Sequence, residues 1–106
     1  VSTTQGSPEN LSEGRSLMYF DLTEANAMYG ALSTGTSGQI LHIFFDNAGV
    51  GTLRIDFGSA TALRAGSGNA QYLTFNTSGQ SASLAYITDD GSTSRWCVLN
   101  TGAVVS

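Results

Sequence analysis

Lysine is absent from this chain of 106 residues, and its four arginines, Arg15, Arg54, Arg64 and Arg95, lie far apart. With a formal net charge of −4 there is no basic run to neutralise phosphates, so neither nucleic acid nor an anionic membrane surface is an expected partner. Charged residues of both signs make up only 11%, against roughly 25% in ordinary soluble domains. The single cysteine, Cys97, excludes a disulfide framework, and with one histidine, His42, a zinc site of thiolates and imidazoles is not expected either. No apolar run approaches the ~20 residues that span a bilayer. The polar start Val1 to Gly6 lacks the character of a signal peptide, so a soluble chain is expected.

What is present is small and polar: 14 Ser, 12 Thr and 13 Gly, residues that favour strands and turns over helices. One domain of this size has little core to spare and gains from association where crosslinks are missing. Cys97, between Trp96 and Val98, reads as a small buried hydrophobe, since no His or Lys nearby in sequence would lower its pKa.

The most informative stretch runs from Gly38 to Phe57. Gln39 to Asp46 and Thr52 to Phe57 are both strand-like, and the link Asn47 to Gly51 offers Gly49 and Gly51 for positive φ, so a β-hairpin is expected. In the second arm Leu53, Ile55 and Phe57 alternate with Thr52, Arg54 and Asp56, giving one dry and one wet face. The first arm is apolar on both: Leu41, Ile43 and Phe45 on one, Ile40, His42 and Phe44 on the other. One face is expected in the protomer core and the other in a subunit contact.

Residues 1–15 form a polar N-terminal arm, either frayed or lying on a neighbouring subunit, and residues 16–106 form a single β domain. Leu17 to Leu22 is a strand with Met18, Phe20 and Leu22 on one face. Thr23 is placed to cap a short helical turn through Met28 that Gly30 would end. Ser33 to Gly38 is turn chemistry, and Gly58 to Asn69 is a loop or broken edge strand anchored by Leu63. Tyr72 to Asn76 is a strand with Leu73 and Phe75 inward. After a turn at Thr77 to Gln80, Ala82, Leu84 and Tyr86 share a face. A turn at Asp89, Asp90 and Gly91 leads to Arg95 to Leu99, with Trp96 and Val98 facing one way and Cys97 and Leu99 the other. Val104 and Val105 add an edge strand or dock on a partner. Short strands separated by turn residues predict an all-β fold, a small antiparallel sandwich or barrel-like, jelly-roll-like domain with at most one short helix and no true internal repeat.

Candidate chemistry is sparse. His42 has Ile40 and Phe44 as its strand neighbours and reads as a hydrogen-bonded structural residue. Asp46, Asp56, Asp89 and Asp90 are the candidates for acid–base work or a hard cation. Asp46 and Asp56 would approach across the expected hairpin, but turn-stabilising roles account for all four. Gly66 to Gly68, and Gly49 with Gly51, read as turns because neither continues into a phosphate-binding motif. Asn10 to Ser12 and Asn76 to Ser78 match the glycosylation pattern and are read as silent. Tyr19, Tyr29, Tyr72, Tyr86 and Trp96 raise the question of sugar stacking, although inward packing explains Tyr86 and Trp96. Neither enzymatic activity nor a cofactor or metal is expected.

The segments Gly38 to Ile43, Thr52 to Phe57, Gly79 to Tyr86 and Arg95 to Leu99 resemble the small β-modules of tailed-bacteriophage virions, capsid decoration (cement) proteins and tail-fibre ends, over roughly Leu17 to Gly102. The chain has no coiled-coil or shaft repeat of a fibre. The resemblance implies a structural protein of the virion, assembled in the host cytoplasm, that stabilises the head as a homotrimer with the major capsid protein as its partner. The alternative it implies is a receptor-binding module for host surface glycans. The expected subunit interface is Ile40, His42, Phe44, Leu11 and Val104.

Overall fold

The computed structural model describes residues 1–32, 34–89 and 91–106, and among these there is no helix. Eleven strands form: β1 (Glu9–Asn10), β2 (Leu17–Leu22), β3 (Met28–Ala31), β4 (Ile40–Asn47), β5 (Leu53–Asp56), β6 (Leu63–Ala65), β7 (Gly68–Ala70), β8 (Tyr72–Phe75), β9 (Ser81–Thr88), β10 (Ser94–Thr101) and β11 (Val104–Val105). They build a sandwich of two sheets, one in the order β1-β3-β5-β8-β11 and the other β2-β4-β9-β10-β6-β7. The sheets are mixed rather than antiparallel: β1·β3, β3·β5, β2·β4 and β6·β10 run parallel.

The expected hairpin does not form. β4 and β5 lie in different sheets, so the link Asn47 to Gly51 is an arch that crosses the sandwich. The reason lies in the chain that precedes it. β2, its connection and β3 form an earlier arch of the same kind, and the two arches stack in register. Leu17 pairs with His42 and Met28 with Leu53, the residue numbers differing by 25 in both sheets. Backbone bonds continue this stack between the links: Ala48 N–H donates to Leu22 O, Gly51 N–H to Glu24 O and Met28 N–H to Thr52 O. The connection after β2 therefore spends its backbone groups on the next arch, and the helical turn expected from Thr23 to Met28 is absent. Stacked arches make a hydrogen-bonded ladder between strands two apart in sequence, which is why these pairs run parallel.

Gly49 and Gly51 are not at positive φ, contrary to expectation; among the described residues the glycines at positive φ are Gly38, Gly58, Gly66 and Gly79. Glycine is required in the arch by contact instead. A Cβ on Gly49 would run into the Glu24 carbonyl, and one on Gly51 into that of Asn26. Asn47 closes the stack from within. It is 3% exposed; its Nδ2 donates to Glu24 O and Gly51 O at 3.0 and 2.9 Å, and its Oδ1 accepts from Glu24 N–H and Gly49 N–H at 2.9 and 3.1 Å.

The period-2 assignments of the inward faces hold for the main strands. Met18, Leu41, Ile43, Phe45, Leu53, Ile55, Phe57, Leu63, Leu73, Phe75, Ala82, Leu84 and Trp96 are buried in one core between the sheets. Phe45 and Phe75 meet across it with ring centroids 5.8 Å apart. Trp96 lies edge-on to Tyr86 at 5.1 Å, over Gly35, where a Cβ would stand 2.7 Å from the indole. Its Nε1–H finds no acceptor among the described residues. The segment Gly58 to Asn69 carries most of the β6–β7 hairpin, which is turned at Gly66 and ends at Ala70, and β11 pairs with β8.

The N-terminal arm lies on its own protomer. β1 pairs with β3, Leu11 N–H donates to Ala31 O at 2.9 Å, and the Leu11 side chain covers Gly30, where an added Cβ would meet it at 3.0 Å. Leu11 is thus packed, partly buried, against the protomer core.

Candidate association surface

The outer face of the six-stranded sheet carries the second face of β4. Ile40 and Phe44 are 43% and 40% exposed, and His42 lies exposed between them with Nδ1 3.0 Å from Ser83 Oγ. These three residues of the expected interface are brought together. Val104 is exposed but belongs to β11 at the edge of the other sheet, so with Leu11 packed inward the expected set of five is not one surface.

Other strands enlarge the patch. In β2, Leu17 and Tyr19 stand beside His42 and Phe44 and are both 58% exposed. In β9, Ala85 faces Ile40, and Ile87 continues the row; Leu99 is exposed at the bulge of β10. Tyr19 packs on Phe44 with centroids 5.7 Å apart. Its hydroxyl donates to Asp46 Oδ2 at 2.9 Å, and this bond, with the charge of Asp46 beside it, raises the phenol above the ordinary tyrosine range. Cys97 is half-buried on this face, opposite Ala85 and Arg64, rather than a core residue.

Charges stand at the margins of the patch. Asp21 and Asp46 are register partners at the β2·β4 end, and Arg64 and Arg95 lie towards the β6·β10 end. Asp89 Oδ1 accepts from Gly91 N–H and Thr93 N–H, so its carboxylate closes the β9–β10 turn; Asp90 lies outside the described residues, as does Ser33 of the turn before β4. Asp46 and Asp56 do not approach each other, because β4 and β5 are in opposite sheets and each carboxylate points outward. No group of three or more His, Cys, Asp or Glu that could hold a metal ion occurs among the described residues.

β2 is also an open edge. Ser16 O accepts from His42 N–H and Leu22 O from Ala48 N–H, so the even-numbered residues face β4. Alternation then aims the backbone N–H and C=O of Leu17, Tyr19 and Asp21 away from the sheet. A groove of about 290 Å³ runs along this edge between residues 9–12 and β2, with Arg15 in its wall. The edge has neither proline nor lysine, the usual guards against pairing with another chain.

Two regularities escaped sequence reasoning. Tyr19-Phe20-Asp21 and Phe44-Phe45-Asp46 mark the stacked arches, and Thr36-Ser37-Gly38-Gln39 recurs as Thr77-Ser78-Gly79-Gln80. Both are visible as short self-similarities in the sequence. No helix of the described residues is long and apolar enough to cross a membrane. No family model, curated protein or solved structure matches the chain.

Proposed function

We propose that this protein is a structural component of a bacteriophage virion, a capsid decoration or cement protein that acts as a homotrimer on the major capsid protein and catalyses nothing. The observation that carries this reading is the exposed apolar patch of Leu17, Tyr19, Ile40, Phe44, Ile87 and Leu99 beside the open edge of β2. Each of these six residues is 40–58% exposed, and a group of large apolar side chains left open on one face marks a contact surface.

A second copy of the chain fits this face because Asp21 and Asp46 stand at one end of it and Arg64 at the other, where Arg95 is paired with Asp89 at 3.8 Å. Displaced along the face, a copy brings Arg64 towards Asp21 and Asp46 while the apolar middle is covered. Head-to-tail contacts of this kind generate closed rings when the rotation allows it. Joined copies lying across seams of a shell would add buried area there and resist outward pressure by binding alone.

The test is the mass in solution by light scattering, with sedimentation of the protein on expanded shells. The wild type should be a trimer that sediments with shells, and Phe44→Glu should give a folded monomer that does not. A monomeric wild type without shell affinity sinks the proposal, and so does a Phe44→Glu variant that still assembles. Adsorption to host cells without shell binding would favour the receptor-binding alternative.

A further inference from the structure

The outer face of the five-stranded sheet holds a different constellation. Tyr29 and Arg54 are direct partners across β3·β5, while Asp56, two residues along β5, is paired with Tyr72 of β8. The Arg54 guanidinium lies between the two rings, 5.2 Å from the Tyr29 centroid and 4.2 Å from that of Tyr72. All three side chains are half-buried.

An arginine on a sheet face usually settles against a carboxylate, and Asp56 is near enough in sequence to be that partner. It is engaged elsewhere: Asp56 Oδ1 accepts from Gly58 N–H at 2.8 Å and from Gln71 Nε2 at 3.0 Å. Among the described residues the Arg54 side chain makes no ion pair or hydrogen bond, and neither do the hydroxyls of Tyr29 and Tyr72. Of the other two phenols, Tyr19 donates to Asp46, while Tyr86, whose hydroxyl likewise has no hydrogen bond among the described residues, packs its ring on Trp96 instead of a guanidinium. The guanidinium is therefore oriented by the rings, its five donors free of protein acceptors, with Asp56 Oδ2 as an uncommitted acceptor on the same face.

We infer that Tyr29, Arg54 and Tyr72, with Asp56, form a binding site for a carboxylate-bearing saccharide. A planar guanidinium held by stacking has already lost much of its rotamer freedom and is ready to bind a carboxylate through two parallel hydrogen bonds. The phenol hydroxyls and the free oxygen of Asp56 suit the hydroxyl groups of a sugar acid. A bare anion would gain nothing from an acceptor carboxylate and would be repelled by it. The site lies on the opposite side of the sandwich from the proposed subunit contact and does not depend on it.

The experiment is an NMR titration of the full chain with galacturonate oligomers, followed through the Arg54 Nε–H signal and the amides of β3, β5 and β8. Neutral galactose oligomers and inorganic phosphate serve as the comparison ligands. Galacturonate oligomers should shift the Arg54 signal and the neighbouring amides saturably, and should bind more weakly as salt is raised. The neutral oligomers and phosphate should bind at least tenfold more weakly. Arg54→Gln should weaken galacturonate binding at least tenfold, and Arg54→Lys, which keeps the charge but not the planar fork, at least severalfold, each with unchanged core amide signals. Absence of saturable shifts overturns the site. Equal binding of the neutral oligomers overturns the role of Arg54, as does an Arg54→Lys variant of full affinity, and equal binding of phosphate overturns the saccharide assignment.

Discussion

Gln39 and Gln80 occupy equivalent places at the two ends of the β4·β9 pair. Each follows a left-handed glycine, Gly38 at φ 88° and Gly79 at φ 94°. Each closes a turn on the threonine three residues earlier, Gln39 N–H on Thr36 O and Gln80 N–H on Thr77 O, and each side-chain Oε1 accepts from that threonine's N–H. Even the outer bonds correspond, Gly38 N–H reaching Tyr86 O and Gly79 N–H reaching Phe45 O, both at 2.8 Å. The Nε2 groups then diverge: Gln39 holds the carbonyls of Glu13 and Arg15, and Gln80 that of Gly102.

The two turns should respond alike to a methyl group. A Cβ at Gly38 or Gly79 has open space around it, so the cost of Gly→Ala is the left-handed backbone alone, about 1–2 kcal/mol at each position. Urea unfolding should show both losses, additive in the double variant because the turns are at opposite ends of the strand pair. A loss below a few tenths of a kcal/mol at either site contradicts this account.

Asn47 should be far less replaceable than an exposed turn asparagine. Asn47→Ala removes four hydrogen bonds from the partly buried stack of arches, leaving only Glu24 O with another donor, the Gly51 N–H, and about 2–4 kcal/mol of stability should be lost. Asn47→Asp retains the acceptors but cannot donate to Glu24 O or Gly51 O, and it should not restore stability at neutral pH. Denaturant midpoints of the two variants decide the matter; a wild-type midpoint for Asn47→Asp would show that the Nδ2 bonds are dispensable.

Tyr19 should be titrated at higher pH than an ordinary tyrosine. Its neutral form donates to Asp46, so the folded-state value lies above the reference of 10.0. A raised value favours the protonated phenol in the folded chain, and its contribution to stability is complete below the unfolded value and lost as pH rises through the folded one. Alkaline titration of tyrosinate absorbance should place Tyr19 above the reference value in the wild type and move it down in Asp46→Asn. An unchanged titration in Asp46→Asn would break the assignment.

The arm should be held by Leu11. Leu11→Ala uncovers Gly30 and removes part of a half-buried side chain, with an expected loss of about 1–2 kcal/mol. Hydrogen exchange should quicken at Leu11 and along β1·β3 while the β4·β9 amides stay protected. Equal acceleration in both regions would mean that the arm and the core open together.

The strand periods were legible in the residues because alternation reports burial directly. Leu41, Ile43 and Phe45 against Ile40, His42 and Phe44 separate in the fold as they do in the sequence, and so do Leu53 and Ile55 against Arg54 and Asp56. That one face of β4 remains apolar and exposed was also readable there. What the alternation cannot encode is the partner of each strand. A link of five residues with two glycines suits a hairpin as well as an arch, and only the fit of Gly49 and Gly51 against Glu24 and Asn26 makes it an arch. The same long-range stacking withheld a helix from Thr23 to Met28, because its backbone groups bind the next arch. Tertiary structure alone placed Tyr29 and Tyr72, distant in sequence, on either side of Arg54, and set Leu17 and Tyr19 beside Phe44. The sequence by itself determined the inward faces of the main strands, since burial there follows side-chain chemistry at neighbouring positions, while Cys97, read as buried, is half-buried on the outer face. Which surfaces those strands assemble was decided by register, a property of residues far apart along the chain.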